Sequence, residues 1–305
     1  MSPLSNAQLH GPPSPSPPPS GPITGVHFCT KLTPPGDRII NYEPRQGPRV
    51  QLHNIPEPFL HAMIVRQKVF VEEQKVPLIN EFDDDDKRSC HWILYDTILD
   101  PTDKTEIPKE GGKPASPIGT IRLVPFPHYV HPKAGRAYYN GIIQPLPNND
   151  RVPVPDDPNE PQGLCPWEYR DRPTTFHDGQ ELYLKLGRLA VVPTWRGHGV
   201  ASKLITTALD FAARHPTSFG PPSHVRIPSG ADGSPVRPHW RGLVCVHAQI
   251  SAVGIWSKHG FKVDEKMGRW LEEGIEHVGM FRRLESQELK ELAVREGKRK
   301  ADSDN

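Results

Sequence analysis

Where the prolines fall constrains this chain more than any other feature. Each proline fixes φ and removes a backbone donor, so helix interiors and central strands must lie where proline is scarce. Eight of the 37 prolines precede residue 25, fifteen lie between Pro101 and Pro173, and six lie between Pro216 and Pro238. By contrast, residues 178–214 hold only Pro193, and residues 251–305 hold none. The pattern predicts a folded core at 25–284 interrupted by insertions at 97–117, 127–177 and 216–238. Ahead of it, the Pro/Ser-rich tail 1–24 has too few large apolar residues to offset the entropy of ordering, and it reads as disordered. Residues 285–305 read as a charged terminal helix and tail.

Other sequence features exclude whole classes. No stretch of 18 apolar residues is present, so no membrane-spanning helix is expected. The formal charge of +1 gives no bulk electrostatic footprint for nucleic acid. The first 22 residues lack both an apolar h-region and an Arg-rich amphipathic pattern, which predicts a cytoplasmic protein. Lys298-Arg299-Lys300 is a weak nuclear-signal candidate. Cys29, Cys90, Cys165 and Cys245 are far apart without a C-x-x-C pair, the pattern of unpaired thiols rather than of a disulfide framework or a zinc site. Oligomeric state does not follow from the sequence; a homodimer is one option.

The elements follow from periodicity. Val26–Leu32 reads as a first strand, and Phe59, Met63, Ile64 and Phe70 mark a helix stopped by Pro77. HWILY (91–95) and IGTIRLV (118–124) read as an antiparallel pair. Glu181–Val192 has the near-continuous apolar end of a strand buried on both faces. After Pro193 come a glycine turn and a helix with apolar positions Val200, Leu204, Ile205, Ala208, Phe211 and Ala212. A strand at 242–248, a short helix ended by Gly260 and two strands around LEEG (271–274) complete an α+β domain with a mixed, mostly antiparallel sheet split at its central strand.

The turn Arg196-Gly-His-Gly-Val-Ala201 carries the chemistry. Helix N-terminal amides lack partners and carry partial positive charge, glycines admit close backbone approach, and Arg196 adds a bidentate donor. The same residues also suit a simple tight connector. The spacing fits neither a Walker loop nor G-x-G-x-x-G.

This turn resembles the R-x-x-G-x-A pyrophosphate signature of the GCN5-related N-acetyltransferases (GNAT). HAQISAVGIWSKHGF (247–261), with its closing K-x-G-F, resembles the second cofactor element of that superfamily. VRQKVFVEEQKVP with Glu81, Asp83, Asp86 and His91, and the late WLEEGIEHVGM, resemble its ElaA-like branch, often grouped with glucosamine-6-phosphate N-acetyltransferases. The resemblance implies a single GNAT fold flanked by helices and an acetyl-CoA cosubstrate. It also implies an enzyme that acetylates the primary amine of a small molecule, such as an amino-sugar phosphate. On the matching positions, Leu189, Ala190 and Val191 would meet pantetheine, Arg196, Gly197, His198, Gly199, Val200 and Ala201 the diphosphate, and Gln249 the cofactor arm. Amides need no metal to bind a diphosphate, so none is expected.

Trp256 stands where many relatives have a tyrosine that protonates the leaving thiolate. An indole N–H does not act as an acid at neutral pH. Another acid, protonation by water, or a non-catalytic acyl-CoA-binding protein are the readings that follow; as a large apolar group Trp256 also suits the core. Candidate bases are Glu181 and Tyr183 on the central strand, and Glu273 and His277 in the late hairpin. The oxyanion would meet a backbone N–H near Leu189–Val191. The acidic run Asp83–Asp86 could attract a cationic amine, whereas Arg122, Lys185 and Arg188 could meet a phosphate. A polyamine or a protein lysine remains an alternative acceptor.

Overall fold

A computed structural model describes residues 28–96, 115–144, 171–219, 240–287, 289–291 and 294. The 1–24 tail, most of 97–117 and 216–238, the middle of 127–177, Cys165 and the Lys298–Lys300 run lie outside the described residues. One mixed sheet organises the described part. Its strands are β1 (Phe28–Leu32), β2 (Cys90–Asp96), β3 (Ser116–Val124), β4 (Ala137–Tyr139), β5 (Ile142–Gln144), β6 (Tyr183–Val191), β7 (Leu243–Gln249), β8 (Lys262–Val263), β9 (Arg269–Glu272) and β10 (Ile275–Arg283). Their order is β1-β2-β3-β6-β7-β10-β9-β4-β5, with β8 also on β10. Among the described residues only β6–β7 and β4–β9 pair in parallel.

Alternation along β2 sends its side chains to two different layers. On one face Ile93 and Tyr95 meet Ala62 of α1 (Glu57–Arg66). On the other, Trp92 packs edge-on against Phe211 of α2 (Val200–Arg214). The helix expected up to Pro77 continues from α1 as a π-wound stretch, Gln67–Glu73, and stops where Lys75 adopts φ 65°. The left-handed residue, two positions before the proline, ends it. The third helix, α3 (Val253–Lys258), closes at Gly260 with φ 78°, as its C-cap glycine predicts.

In the sheet half beyond β6, α2 covers one face through Leu204, Ile205 and Ala208 against Leu184, Val244 and Val246. Among the described residues no helix covers the opposite face, formed by Tyr183, Cys245 and Phe281. The described ends of the 127–177 segment lie on it instead: His128 and His131 stack on Tyr183, and His177 stacks on Phe281. The same segment contributes the β4–β5 hairpin, which extends the sheet past β9. The proline-rich segment is thus partly a layer of the core.

Candidate active site

The central strand is interrupted earlier than its end. β3 pairs with β6 through Arg122–Gly187 and Thr120–Ala190, so one extra residue is accommodated where Arg188 sits at φ 48°. The sequence predicts a sheet split at its central strand; the structure places the irregularity at Arg188, where a left-handed residue throws the strand out of register. Parallel pairing of β6 with β7 ends at Leu186–Val246. Beyond it, Ala190 and Val191 stay paired with β3 through Thr120 and Gly119, and Leu189, Ala190 and Val191 have no ladder partner on β7 among the described residues. A gap therefore opens between the C-terminal ends of β6 and β7.

The turn lies at the top of this gap. Gly197 and Gly199 have φ 81° and 80°, and a Cβ on either would meet nothing within 4 Å. The first amide to close a helical bond is that of Lys203, to the Gly199 carbonyl, so the amides before it remain open donors at the α2 N-terminus. Gly119 lets this end approach the sheet, since a Cβ there would lie 2.7 Å from Val200 Cγ1. Arg196 is held by Glu73: its two Nη groups donate to the two carboxylate oxygens at 2.7 and 2.6 Å, and the bond holds the Glu73 carboxyl below its usual range. The cradle and its neighbouring cation are therefore present, with one carboxylate on the cation.

Across the gap, Gln249 at the end of β7 exchanges amide hydrogen bonds with Gln74 at 3.2 and 2.9 Å. His277 of β10 pairs in register with Gln249. With Nδ1–H donated to the Ile275 carbonyl at 2.8 Å, His277 keeps a lone pair on Nε2. On the same face, His247 Nδ1 lies 2.9 Å from Glu272 Oε1, which also accepts the Trp270 indole N–H. Burial and Lys185 push the His247 pKa down to about 4 despite Glu272. By residue type Glu73 belongs with the acidic cluster around Asp83–Asp86 and His247 reads as a structural histidine; their partners Arg196 and Glu272 come from distant segments. The period-two run Cys245, His247, Gln249 was the available signal for His247.

The other candidate bases lie elsewhere. Glu181 precedes β6 at the end opposite the turn, and both its oxygens accept bonds from Arg283, at 2.6 and 2.7 Å. A carboxylate so paired and so placed is no base for chemistry in the gap. Tyr183 starts β6 at that same end, buried among His128, His131, His177 and Phe281. Glu273 occupies the left-handed turn of the β9–β10 hairpin, where it accepts bonds from Asn80 Nδ2 at 3.0 Å and the Asn140 amide at 2.6 Å. Its carboxylate holds loops together. Of the four, His277 stands beside the gap.

The acidic run is not free. Arg66, fully buried, donates to Glu81 at 2.5 Å and Asp86 at 2.7 Å, and Arg122 donates to Asp83 and Asp86 at 2.6 and 2.7 Å. Arg188 adds a bond to Asp83 at 2.8 Å, and Arg88 one to Asp85 at 2.7 Å. Burial would raise the Asp86 pKa, but Arg66 and Arg122 hold it far below the carboxylate range. Of the three cations that could meet a phosphate, Arg122 and Arg188 are thus already paired. Trp256 is buried in the core against Phe261.

Residues 155–219 match the acetyltransferase (GNAT) family model; this stretch includes β6, the turn and α2. Together the match and the topology give the fold, that of a GNAT-type acyl-CoA N-acyltransferase: an α+β domain whose mixed sheet opens between two parallel strands. Among solved structures, the chain is similar to a Lactobacillus plantarum protein described as an N-acetyltransferase, at 19% identity over 75% of this chain and 93% of that one, TM-score 0.39. It is also similar to a Pseudomonas aeruginosa acyl-CoA N-acyltransferase, at 15% identity over 85% of this chain and 99% of that one, TM-score 0.38. For Escherichia coli ElaA the values are 14%, 85% and 100%, with TM-score 0.39. No curated protein matches the sequence. No helix among the described residues is long and apolar enough to cross a membrane.

Proposed function

We propose that the protein is an acetyl-CoA-dependent N-acetyltransferase for a small primary amine, with residues 25–284 as the catalytic domain. One observation carries this reading: an amide cradle with open space at both glycines stands at the end of the strand that parts from its parallel neighbour. When bound, the cofactor supplies an activated acetyl thioester. Residues Arg196 to Ala201 would hold its diphosphate, and the backbone of Leu189, Ala190 and Val191, unpaired toward β7, would meet the pantetheine arm opposite Gln249. A backbone N–H of that stretch also suits a developing oxyanion. His277 Nε2 is our candidate for taking the amine proton. With Trp256 in the core, α3 offers no tyrosine acid, and the departing thiolate would take its proton from solvent.

The Gln74–Gln249 bridge supports grouping with the ElaA-like branch, because the VRQKVFVEEQKVP segment reaches the gap through it. A phosphorylated amino sugar has weaker support, since Arg122 and Arg188 are engaged with Asp83 and Asp86. Lys185 alone of the three has no carboxylate at ion-pair distance among the described residues. The position of Trp256 favours one competing reading, a non-catalytic acyl-CoA-binding protein. A thiol-release assay with acetyl-CoA against polyamines, amino sugars with and without phosphate, amino acids and lysine peptides separates the two. Turnover on one class is expected; cofactor binding without turnover on any would sink the enzyme. His277→Gln should lower kcat roughly 100-fold or more, leave the acetyl-CoA Kd unchanged, and remove the limb of the kcat/KM pH profile that belongs to an essential base.

A further inference from the structure

A cluster of histidines and one thiol occupies the sheet face that the 127–177 segment covers, away from the turn. Cys245 and His247 alternate along β7 onto that face. His131 comes from the covering segment, 2% exposed. The Cys245 sulfur and one ring nitrogen each of His131 and His247 lie within 4.8 Å of one another.

The surrounding hydrogen bonds fix which ring atoms are lone pairs. His177 Nε2 lies 2.8 Å from the Glu181 carbonyl, which can only accept, so His177 Nδ1 carries no proton. His131 Nε2, 2.9 Å from that Nδ1 and 3.4 Å from an Asp171 carboxylate oxygen, is therefore the protonated nitrogen of its ring. Its Nδ1 is left as a lone pair, and this atom is buried with no hydrogen-bond partner. On His247 the proton on Nδ1 goes to Glu272, which frees Nε2. Two imidazoles whose outer nitrogens are tied to acceptors, with inner nitrogens left as donors to a cation, is the arrangement seen around bound metals.

We propose that His131, Cys245 and His247 form a binding site for a zinc-class divalent metal ion that fastens the 127–177 segment to β7. Imidazole and thiolate donors suit zinc. At bond lengths of about 2.0–2.3 Å, the ligand atoms must close in by no more than roughly 1.5 Å from the present limit. Three protein donors leave a fourth position for water. Charge points the same way: the carboxylates of Asp171, Asp264 and Glu272 act on the Cys245 sulfur against one cation, Lys185. The Cys245 thiol itself is fully buried. On binding, the S–H bond breaks, the sulfur keeps the electron pair and bonds the ion, and the proton passes to solvent. No C-x-x-C or H-x-H spacing reveals such a site, because its donors come from two segments 114 residues apart, at positions 131 and 245.

The test uses the full-length protein, stripped with a chelator and titrated with Co2+ at neutral pH. A thiolate-to-cobalt charge-transfer band in the near ultraviolet should saturate at one equivalent and vanish when Zn2+ is added. Cys245→Ser should abolish the band. His131→Gln and His247→Gln should each weaken binding about 100-fold or more, beyond the 10–100-fold typical of an outer partner. Absence of the band in the wild type, its survival in C245S, or wild-type affinity in H131Q would overturn the proposal. Far-ultraviolet circular dichroism of the metal-free variants checks folding. Should the two buried positions not tolerate change, the more accessible His247 decides: Zn2+ should raise the Tm of the wild type and not of H247Q, and an equal rise in both counts against the site.

Discussion

Two charged or polar regions flank the gap, and they differ in what is left over. In the β2–α1 region, Arg66, Arg88, Arg122 and Arg188 meet Glu81, Asp83, Asp85 and Asp86 one against another, and each partner is engaged. In the turn ahead of α2, the amides of Gly197 to Ser202 have no intramolecular partner among the described residues, and the Arg196 guanidinium is tied to the Val191 carbonyl and to an exposed carboxylate. The sequence places the chemistry at the glycine turn and leaves the acidic run as a possible attractor for a cationic amine; the structure pairs Asp83, Asp85 and Asp86 with arginines. A buried carboxylate must be paired to be tolerated, so a charge run inside a fold is more often structure than site. Open backbone amides at a helix start remain available to a ligand.

The sharpest way to break this contrast is to remove one arginine from the paired region. Arg66→Ala takes one cation from buried Glu81 and Asp86, leaving them Arg188 and Arg122, and should destabilise by about 3–5 kcal/mol, read by urea unfolding. Loss of less than about 1 kcal/mol would mean the network is not what holds this corner. At the turn, Gly199→Val forces a β-branched residue to φ 80°. Strain of about 1–2 kcal/mol should appear as an acetyl-CoA Kd weakened at least about 10-fold, by calorimetry, with the fold retained. Unchanged binding would remove the premise of the cofactor site.

Acid pH probes the paired region more gently. Burial, only partly opposed by Asp86, pushes the His91 pKa to about 4, while an unfolded histidine titrates near 6.5. As pH falls, the unfolded chain takes up this proton first, so stability is full above about pH 6.5 and is lost progressively toward pH 4. The Tm should fall by several degrees across that window, and less steeply in His91→Gln. An equal slope in both proteins would show that His91 is not responsible. The smallest effect is at the latch between the two regions. Glu73→Gln frees Arg196 and should tighten acetyl-CoA binding a few-fold, with stability changed by about 0.2–1 kcal/mol, as for an exposed pair. Weaker binding in E73Q would instead make Glu73 a useful orienter of the guanidinium.

Much of this was legible along the chain. Periodicity located α1, α2, β2, β3, β7 and the β9–β10 hairpin, and the proline-poor stretch 178–214 held the central strand and the turn. The glycine turn was readable because φ near +80° is a local demand that glycine meets without strain. The candidate base was not: residue type offered Glu181, Tyr183, His277 and Glu273 together, and the register of β10 on β7 separates His277 from a carboxylate clamped by Arg283 and another bridging loops.

The prolines, too, mean something narrower than their number suggests. By itself the sequence determined where regular structure could not run, and so where the cofactor elements had to lie, since φ restriction and a missing donor act within a residue or two. It did not determine that the described ends of the 127–177 segment would cover a sheet face with His128, His131 and His177, or that Asp83, Asp85 and Asp86 would be paired with four arginines. Those outcomes depend on which distant side chains must share a water-free volume, and only the tertiary structure brings them there.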